Sequence, residues 1–427
     1  MKLDRRTFLQ GLGAGTLGAL AGCTAVPAGL RPEVALPAYG SVTDEAFWRA
    51  VRTQFPLLDH PVYLNTGGLG PASHAVLNTV HTTMTEQQEC SETGYDLFAP
   101  ARETMARYLG VKPAEVCFTR NATEGNSIIA AGLALHEGDE VIFESHAHPG
   151  GSFPWFNQAK LRGVKVRLFT PDPASPEANL AGIRDLVTPR TKVIQVSHIT
   201  CTTGLVFPVR AIAEFARAHD IWFHIDGAQS VGMIPVNLDA IGCDSYAFSG
   251  HKWLGGPHES GVFYIRHARL EAVAATGIGA HSGELPHLPG EIKLCDSAAR
   301  HEYGTRNAGL IAGLAEAVRL QETIGRDRIA AHGRELATLL FDACAKIPDI
   351  AVLTPRHDEL RASMTTIHHA RAGAGKLFDF LKEEHGLRCR PVTEQGLQAV
   401  RISTHVFNSH AECERVITGV RAAARAF

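Results

Sequence analysis

The chain has 427 residues, 45% hydrophobic and 20% charged, which is typical of a globular protein and long enough for two domains. A net charge of -3, without a run of Lys or Arg, disfavours a nucleic-acid partner. None of the nine cysteines forms a C-x-x-C pair, so a zinc ribbon or a thioredoxin-like site is not expected.

The first thirty residues have the layout of an export signal, with charged residues first, then an apolar run, then small residues. Residues 5–9, Arg-Arg-Thr-Phe-Leu, resemble a twin-arginine signal read by the Tat translocase. We predict a signal peptide over 1–28, cleavage after Ala28 and a soluble periplasmic product. Residues 20–23, Leu-Ala-Gly-Cys, leave open a lipoprotein anchored through Cys23. Residues 29–42 predict a linker.

Strand-like apolar runs then alternate with amphipathic helices. The strand-like runs include 140–143, 192–196 and 221–225, and the helical patterns include 43–54, 211–219, 307–322 and 327–345. Such alternation predicts an α/β fold with a mainly parallel sheet, whose ligands bind beyond the carboxyl ends of the strands. We expect a large domain over 43–325 and a smaller C-terminal domain over 326–427.

The first functional motif is residues 118–125, Phe-Thr-Arg-Asn-Ala-Thr-Glu-Gly, which we expect to lead into an apolar helix from Asn126. A polar turn that enters a helix presents free backbone N–H groups and the positive end of the helix dipole. This turn is therefore a candidate phosphate site. A capping box explains the same residues without a ligand, and the two interpretations are compatible.

The second motif, residues 225–229, is Ile-Asp-Gly-Ala-Gln and directly follows an apolar strand. A buried aspartate needs a partner, and a protonated pyridine nitrogen would suit Asp226. Gln229 is placed to bind the phenolic oxygen of such a ring. The alternative is a metal-binding or structural carboxylate.

The third motif, residues 248–253, is Phe-Ser-Gly-His-Lys-Trp and ends another apolar run. Burial lowers the pKa of a lysine and makes its amine a nucleophile for carbonyl carbon, so Lys252 is the candidate for covalent cofactor attachment. Ser249 and His251 alternate with Gly250 and would face a phosphate together. An isolated lysine in an apolar stretch is usually a surface residue, but the spacing from Asp226 disfavours that here.

The fourth motif is Arg401 in residues 400–403, Val-Arg-Ile-Ser, which alternate as a strand does. An arginine fork is suited to bidentate capture of a substrate carboxylate. The alternative is a surface ion pair.

Together these motifs resemble the class V aminotransferase family, which includes cysteine desulfurases and isopenicillin N epimerase-like enzymes. The resemblance covers about residues 63–408 and implies a fold type I enzyme dependent on pyridoxal 5′-phosphate (PLP), normally a homodimer. It implies Lys252 as the Schiff-base lysine and base at the substrate α-carbon, and Asp226 as the partner of the ring nitrogen. The other implied contacts are Ala122, Thr123, Ser249 and His251 with the phosphate, His148 stacked on the ring, His198 and Gln229 near the phenolic oxygen, Thr305 with the partner subunit's phosphate, and Arg401 and Asn65 with the substrate.

Glu144, His146 and His148 alternate in sequence, but without companion ligands they do not predict a metal site. The desulfurases carry a reactive cysteine shortly before the carboxylate-binding arginine, whereas no cysteine lies between Pro391 and Arg401 here. We therefore do not expect desulfurase activity.

The motifs do not choose between transamination, epimerisation and loss of a side-chain group. Combined with an export signal, they resemble the periplasmic PLP enzymes that tailor the siderophore pyoverdine. An epimerase or C–S lyase acting on free amino acids is the enzymatic alternative. A PLP-binding sensor on a retired enzyme fold is the non-enzymatic alternative, and the intact set of Lys252, Asp226 and Arg401 argues against it.

Overall fold

The computed structural model describes residues 35–427. The predicted signal peptide, Cys23 and the beginning of the predicted linker lie outside these residues. Within 35–427, none of the helices combines the length and the apolarity that crossing a bilayer would require.

Helices and strands alternate through most of the described chain. The helices are α1 (Asp44–Arg52), α2 (His74–Cys90), α3 (Phe98–Leu109), α4 (Ala122–Gly132), α5 (Pro149–Arg162), α6 (Pro176–Arg184), α7 (Val209–Ala218), α8 (Leu238–Ile241), α9 (Ala308–Ile324), α10 (Arg326–Cys344), α11 (Ala374–Glu383) and α12 (His410–Ala426). The strands are β1 (Val62–Tyr63), β2 (Val116–Thr119), β3 (Glu140–Glu144), β4 (Lys165–Phe169), β5 (Thr191–Ser197), β6 (Trp222–Asp226), β7 (Ser245–Ser249), β8 (Gly261–Ile265), β9 (Gly283–Glu284), β10 (Lys293–Leu294), β11 (Ile350–Val352), β12 (Met364–His369), β13 (Leu387–Arg388), β14 (Arg390–Val392) and β15 (Ala399–Ser403).

A seven-stranded sheet forms the centre of the molecule, in the order β2-β8-β7-β6-β5-β3-β4. The five adjacent strands β7, β6, β5, β3 and β4 run parallel. Strand β8 is antiparallel to both of its neighbours, β2 and β7. Every residue of β3, β6, β7 and β8 is buried, as expected when helices cover both faces of a sheet. The predicted α/β fold with a mainly parallel sheet is confirmed, and the carboxyl ends of β6 and β7 lie side by side.

Helix caps fix where two of the predicted helices begin. The hydroxyl of Thr43 accepts from the backbone of Ala46 at the start of α1, as its sequence predicts. The expected start of α4 at Asn126 is wrong, because the side chain of Asn121 accepts from the N–H of Glu124 and the helix begins at Ala122. Asn126 is therefore a helical residue one turn inside α4.

A second, smaller sheet has the order β11-β12-β15-β14 and is antiparallel throughout. Two segments from before residue 70 pack with this C-terminal part: β1 pairs with β13, and Phe47 of α1 lies in an apolar cluster with Ile329 and Phe407. An isolated bridge between Asn65 and Ser403 continues the connection. The segment after β1 therefore passes between the two sheets.

A buried ion pair ties the edge strand β2 to the rest of the large sheet. Both terminal nitrogens of Arg102 bind the carboxylate of Glu302, at 2.8 and 2.9 Å. The same carboxylate accepts from the N–H of Phe118 at 2.6 Å, and Arg102 also donates to the carbonyl of Val116. Because both side chains are largely buried, loss of one partner leaves the other charge uncompensated.

We expect Glu302→Ala to lower the free energy of unfolding by about 3–5 kcal/mol, the usual cost of breaking a buried ion pair. Glu45→Ala is the matched control, because it removes the partner of Arg49 on the exposed surface of α1 and should cost less than about 1 kcal/mol. Urea unfolding of both variants beside the parent protein measures the difference. Equal losses would contradict the role assigned to Glu302.

Candidate active site

A cavity of about 270 Å³ opens beyond the carboxyl ends of β6 and β7, where the chain between the two sheets also passes. Glycines and polar side chains from several distant parts of the chain form its wall, namely Gly67, Gly68, Asn121, Ala122, Thr123, His148, Cys201, Asp226, Ala228, Gln229, Ser249, His251, Lys252, Arg390 and Arg401. The fold thus brings together most of the residues singled out in the sequence.

Lys252 lies in the turn that follows β7. The backbone of a glycine loop, residues 67–70, packs against this turn. The N–H of Gly70 donates to the carbonyl of His251 at 2.8 Å. A Cβ atom at Gly70 would lie 1.8 Å from the carbonyl oxygen of Lys252, so this approach requires glycine. Burial lowers the pKa of Lys252 against the opposing effect of the nearby Asp226. The amine is therefore closer to its neutral, nucleophilic form than an exposed lysine would be.

Asp226 is the last residue of β6 and is buried, with both carboxylate oxygens occupied. Oδ1 accepts from the N–H of Ala228 at 3.0 Å, and Oδ2 accepts from Nδ2 of Asn126 at 2.9 Å. The carboxylate is thereby fixed at the bottom of the cavity, where it meets the need of a buried charge for hydrogen-bond partners.

A chain of buried hydrogen bonds determines which way Asn126 faces. Nε1 of Trp222 donates to the hydroxyl of Ser245, which lies 2.8 Å from Nδ1 of His224. Nε2 of His224 lies 2.8 Å from Oδ1 of Asn126, whose amide nitrogen faces Asp226. Only one assignment satisfies every donor: Ser245 donates to Nδ1 of His224, and Nε2 carries the proton that binds Asn126. Burial lowers the pKa of His224 to about 3, so the ring stays neutral, as this assignment requires.

The amino end of α4 forms another wall of the cavity and presents hydrogen-bond donors. The N–H of Ala122 donates to the hydroxyl of Ser249 at 3.0 Å, which connects the helix start to the end of β7. Thr123 and His251 complete this wall. Nδ1 of His251 is buried and has no hydrogen-bond partner among residues 35–427. Burial also lowers the pKa of His251 to about 4, so a neutral ring faces this end.

His148 lies at the start of α5 and lines the cavity. Its Nδ1 accepts from the N–H of Gly150 at 3.0 Å, which leaves the proton on Nε2. Burial, and then the charge of Lys252, lower the pKa of His148. The hydrogen bond fixes the tautomer and orientation of the ring, and the lowered pKa favours its neutral form.

Gln229 and Arg401 both lie close to Gly67 of the glycine loop. Nε2 of Gln229 donates to the carbonyl of Gly67 at 2.8 Å, and its Oε1 accepts from Nε1 of Trp253. Arg401 is only 1% exposed and donates to the carbonyl of Cys201 at 2.6 Å and to Oδ1 of Asn65 at 3.1 Å. Asn65 therefore orients the guanidinium rather than lining the cavity itself. Burial lowers the pKa of Arg401 to about 10, so it remains a cation.

Two predicted cofactor residues lie elsewhere in this single chain. The structure does not bring His198 to the cavity, because its ring faces the core and Nδ1 lies 2.9 Å from the hydroxyl of Tyr246. Thr305 lines a separate surface depression with Met84 and Asn307. That position agrees with a contact made across a subunit boundary, which the resemblance implies.

Glu144, His146 and His148, which alternate in the sequence, do not lie on one strand. Glu144 ends β3 and accepts from the N–H of Ser197, while His146 lies in the following turn and contacts Thr202. Across residues 35–427, no group of three or more His, Cys, Asp or Glu side chains is arranged to hold a metal ion.

Sequence reasoning assigned no role to Arg390 and Cys201, which line the cavity, or to Asn126, which binds Asp226. The alternation of Arg390 with Val392 on a strand was an available signal. The inward direction of Asn126 depends on α4 packing against β6, for which the sequence has no local signal.

The sequence model of the aminotransferase class-V family matches residues 72–416. The chain belongs to this family. It is 30% identical over 403 residues to a probable cysteine desulfurase of Vibrio cholerae, covering 88% of this chain and 98% of that protein. It is 27% identical over 391 residues to the isopenicillin N epimerase of Streptomyces clavuligerus, covering 87% and 97%.

Solved structures agree with this assignment. A mutant of C-DES with glycine covalently linked to the PLP cofactor superposes with a TM-score of 0.79 at 25% identity, over 87% of this chain and 98% of that one. The complex of the cystine C–S lyase C-DES with cysteine persulfide shares the fold, with a TM-score of 0.81 at 24% identity, over 86% and 99%. The protein is thus a PLP-dependent enzyme with the fold of class V aminotransferases.

The residues of the cavity fit PLP at each of its reactive positions. The start of α4 and Ser249 offer donors to the phosphate, and the buried, unpaired Nδ1 of His251 lies at the same end of the cavity. Asp226 is placed to bind the protonated pyridine nitrogen, and Lys252 to attach the aldehyde carbon covalently.

We expect Asn126→Ala to weaken PLP binding by about 5- to 100-fold, because it leaves buried polar groups of Asp226 and His224 unpaired at a cost of about 1–3 kcal/mol. Ser127→Ala is the matched control on the exposed face of the same helix. Equilibrium dialysis of PLP against both apoproteins measures the affinity. An unchanged dissociation constant for Asn126→Ala would show that the chain of hydrogen bonds does not position Asp226.

Proposed function

We propose that this enzyme works in the periplasm on the amino group of an amino acid or a peptidyl residue, in the tailoring of the siderophore pyoverdine. The observation that carries the chemistry is the single cavity that contains Lys252, Asp226 and Arg401. Residues 5–9 support export, and an exported PLP enzyme of this family resembles the pyoverdine-tailoring enzymes. The chemistry is thus inferred from the cavity, whereas the compartment and the pyoverdine substrate are inferred from residues 5–9 combined with the family.

Each side chain has a distinct part in this proposal. Arg401 binds the carboxylate next to the reacting carbon, because its guanidinium is already fixed by Asn65 and Cys201. PLP supplies an electron sink for the charge that develops on that carbon. Lys252, with its lowered pKa, takes the proton from the α-carbon as general base. Asp226 keeps the ring nitrogen protonated, and His148 limits movement of the ring.

Desulfurase activity is disfavoured by the thiols of the cavity. Among the residues that the structure describes, Cys201 is the only cysteine in the cavity wall, and burial raises its pKa. A thiol that stays protonated is a poor nucleophile. Epimerisation remains the second candidate, because the alignment with an isopenicillin N epimerase spans 97% of that enzyme.

A homodimer is part of the proposal. Fold type I enzymes typically pair with their active sites at the subunit boundary. Thr305 and Asn307 lie at the surface outside the cavity of their own chain, which supports a contribution to the site of a second copy.

We expect borohydride to fix PLP irreversibly to the parent enzyme, with the added mass on the peptide that contains Lys252. Lys252→Ala should abolish both the added mass and the cofactor absorbance of the linkage, because no other amine lines the cavity in residues 35–427. Lys376→Ala, on the exposed surface of helix α11, is the control and should retain both. Labelling that persists in Lys252→Ala would contradict the assignment of Lys252 as the residue that attaches PLP.

The same preparation separates the reaction classes when single amino acids and pyoverdine precursor peptides are added without a keto acid. Conversion of bound PLP to pyridoxamine phosphate indicates transamination. Substrate that changes configuration or mass while PLP is retained indicates epimerisation or removal of a side-chain group. Formation of alanine from cysteine, with sulfide released by an added thiol reductant, would overturn the conclusion that desulfurase activity is disfavoured.

Export has a separate test. Replacing Arg5 and Arg6 together with lysine should leave the full-length protein in the cytoplasm, because the twin-arginine pair is the feature that the translocase reads. Cell fractionation and immunoblotting locate both forms, and Lys2→Arg is the control because it leaves the pair intact. Unimpaired export of the double variant would exclude the twin-arginine route.

A further inference from the structure

A second arginine lies beside the proposed carboxylate-binding residue. Arg390 in β14 is the direct antiparallel partner of Arg401 in β15. Directly opposed residues of an antiparallel pair project from the same face of the sheet. Both side chains accordingly line the same cavity.

The two guanidinium groups differ in how they are occupied. Both terminal nitrogens of Arg401 donate to protein oxygens, although its buried Nε has no hydrogen-bond partner among residues 35–427. Arg390 binds Glu394 through Nη2, whereas its buried Nη1 has no hydrogen-bond partner among residues 35–427. A buried, unpaired guanidinium N–H is costly, and its position in a ligand cavity points to an anion that binds there.

The charges around Arg390 support the same conclusion. Lys252 and Arg401 are further cations of this cavity wall, and Asp226 is held by Asn126 and Ala228 rather than by an arginine. The neighbouring Glu394 is half-exposed, and it compensates one of the two adjacent arginines. The two arginines can each neutralise one substrate carboxylate if Glu394, which is partly exposed, turns from Arg390 towards solvent.

We propose that Arg390 binds a second carboxylate of the substrate, so that the enzyme selects amino acids or peptidyl residues with an acidic side chain. This inference rests on the proposed function, in which Arg401 binds the first carboxylate. Glu394 holds Arg390 in the free enzyme and gives way, or shares the guanidinium, when the side-chain carboxylate enters. Arg390 is then the residue that distinguishes dicarboxylic from monocarboxylic substrates.

The test compares two unreactive probes, glutarate and butyrate, which differ by one carboxylate. Calorimetric titration of holoenzyme gives the ratio of their dissociation constants. Arg390→Gln should weaken glutarate binding by about 10- to 100-fold, the usual effect of losing a charged hydrogen bond, and should reduce the preference for glutarate accordingly. The matched control is Arg388→Gln, because Arg388 donates to the carbonyl of Cys389, stacks on Phe378 and does not line the cavity.

A second variant changes the preference in the opposite direction. Glu394→Gln removes the competing negative charge beside Arg390 and should tighten glutarate binding several-fold. An unchanged probe ratio in Arg390→Gln, or equal affinity of the parent holoenzyme for both probes, would overturn the inference. Each preparation is first checked for borohydride-fixed PLP on Lys252. Loss of that linkage from the parent enzyme would refute the proposed function, whereas an intact linkage without discrimination refutes only the role of Arg390.

Discussion

The active site depends on keeping a carboxylate buried and correctly aimed at the end of a strand. Asp226 ends β6, which is buried along its whole length, and a charge there is stable only with strong partners. The partners come through Asn126 from a line of hydrogen bonds that crosses β6 and β7. The neutral His224 donates from Nε2 to the side-chain oxygen of Asn126, so the amide nitrogen of Asn126 faces Asp226. If the amide were turned over, its oxygen would face the carboxylate, and two acceptors would oppose each other.

A second constraint is the close contact of the two sheets. After β1 the chain bridges to Ser403 of the small sheet and then approaches the backbone of Lys252 at Gly70. Glycine at position 70 permits that approach, Gln229 donates to the carbonyl of Gly67, and Arg401 lies close to the same glycine. The nucleophile and the carboxylate-binding group are thus fixed relative to each other through the backbone, which is the precision that orientation of a substrate requires.

The sequence predicted the parts of the site that depend on one segment at a time. Buried parallel strands are rich in β-branched and aromatic residues, so the ends of β6 and β7, and with them Asp226 and Lys252, could be located. His198 also follows a strand, but its ring points into the core, where it contacts the hydroxyl of Tyr246. Tertiary packing determines that direction. The position of Arg390 in the cavity depends on its register with Arg401, because strand pairing determines which side chains share a face.

The electrostatics of the cavity explain why these constraints matter together. Its wall contains three cationic side chains, Lys252, Arg390 and Arg401, against the single carboxylate of Asp226. Burial holds the pKa of His148 and His251 below the ordinary value, so these rings add no further charge. Glu394 compensates Arg390, and the phosphate of PLP and the carboxylates of a substrate add the negative charge that balances the remaining cations. Burial first, and then the charges of Arg401 and Arg390, lower the pKa of Lys252, so the arrangement that attracts an anionic substrate also keeps the amine reactive.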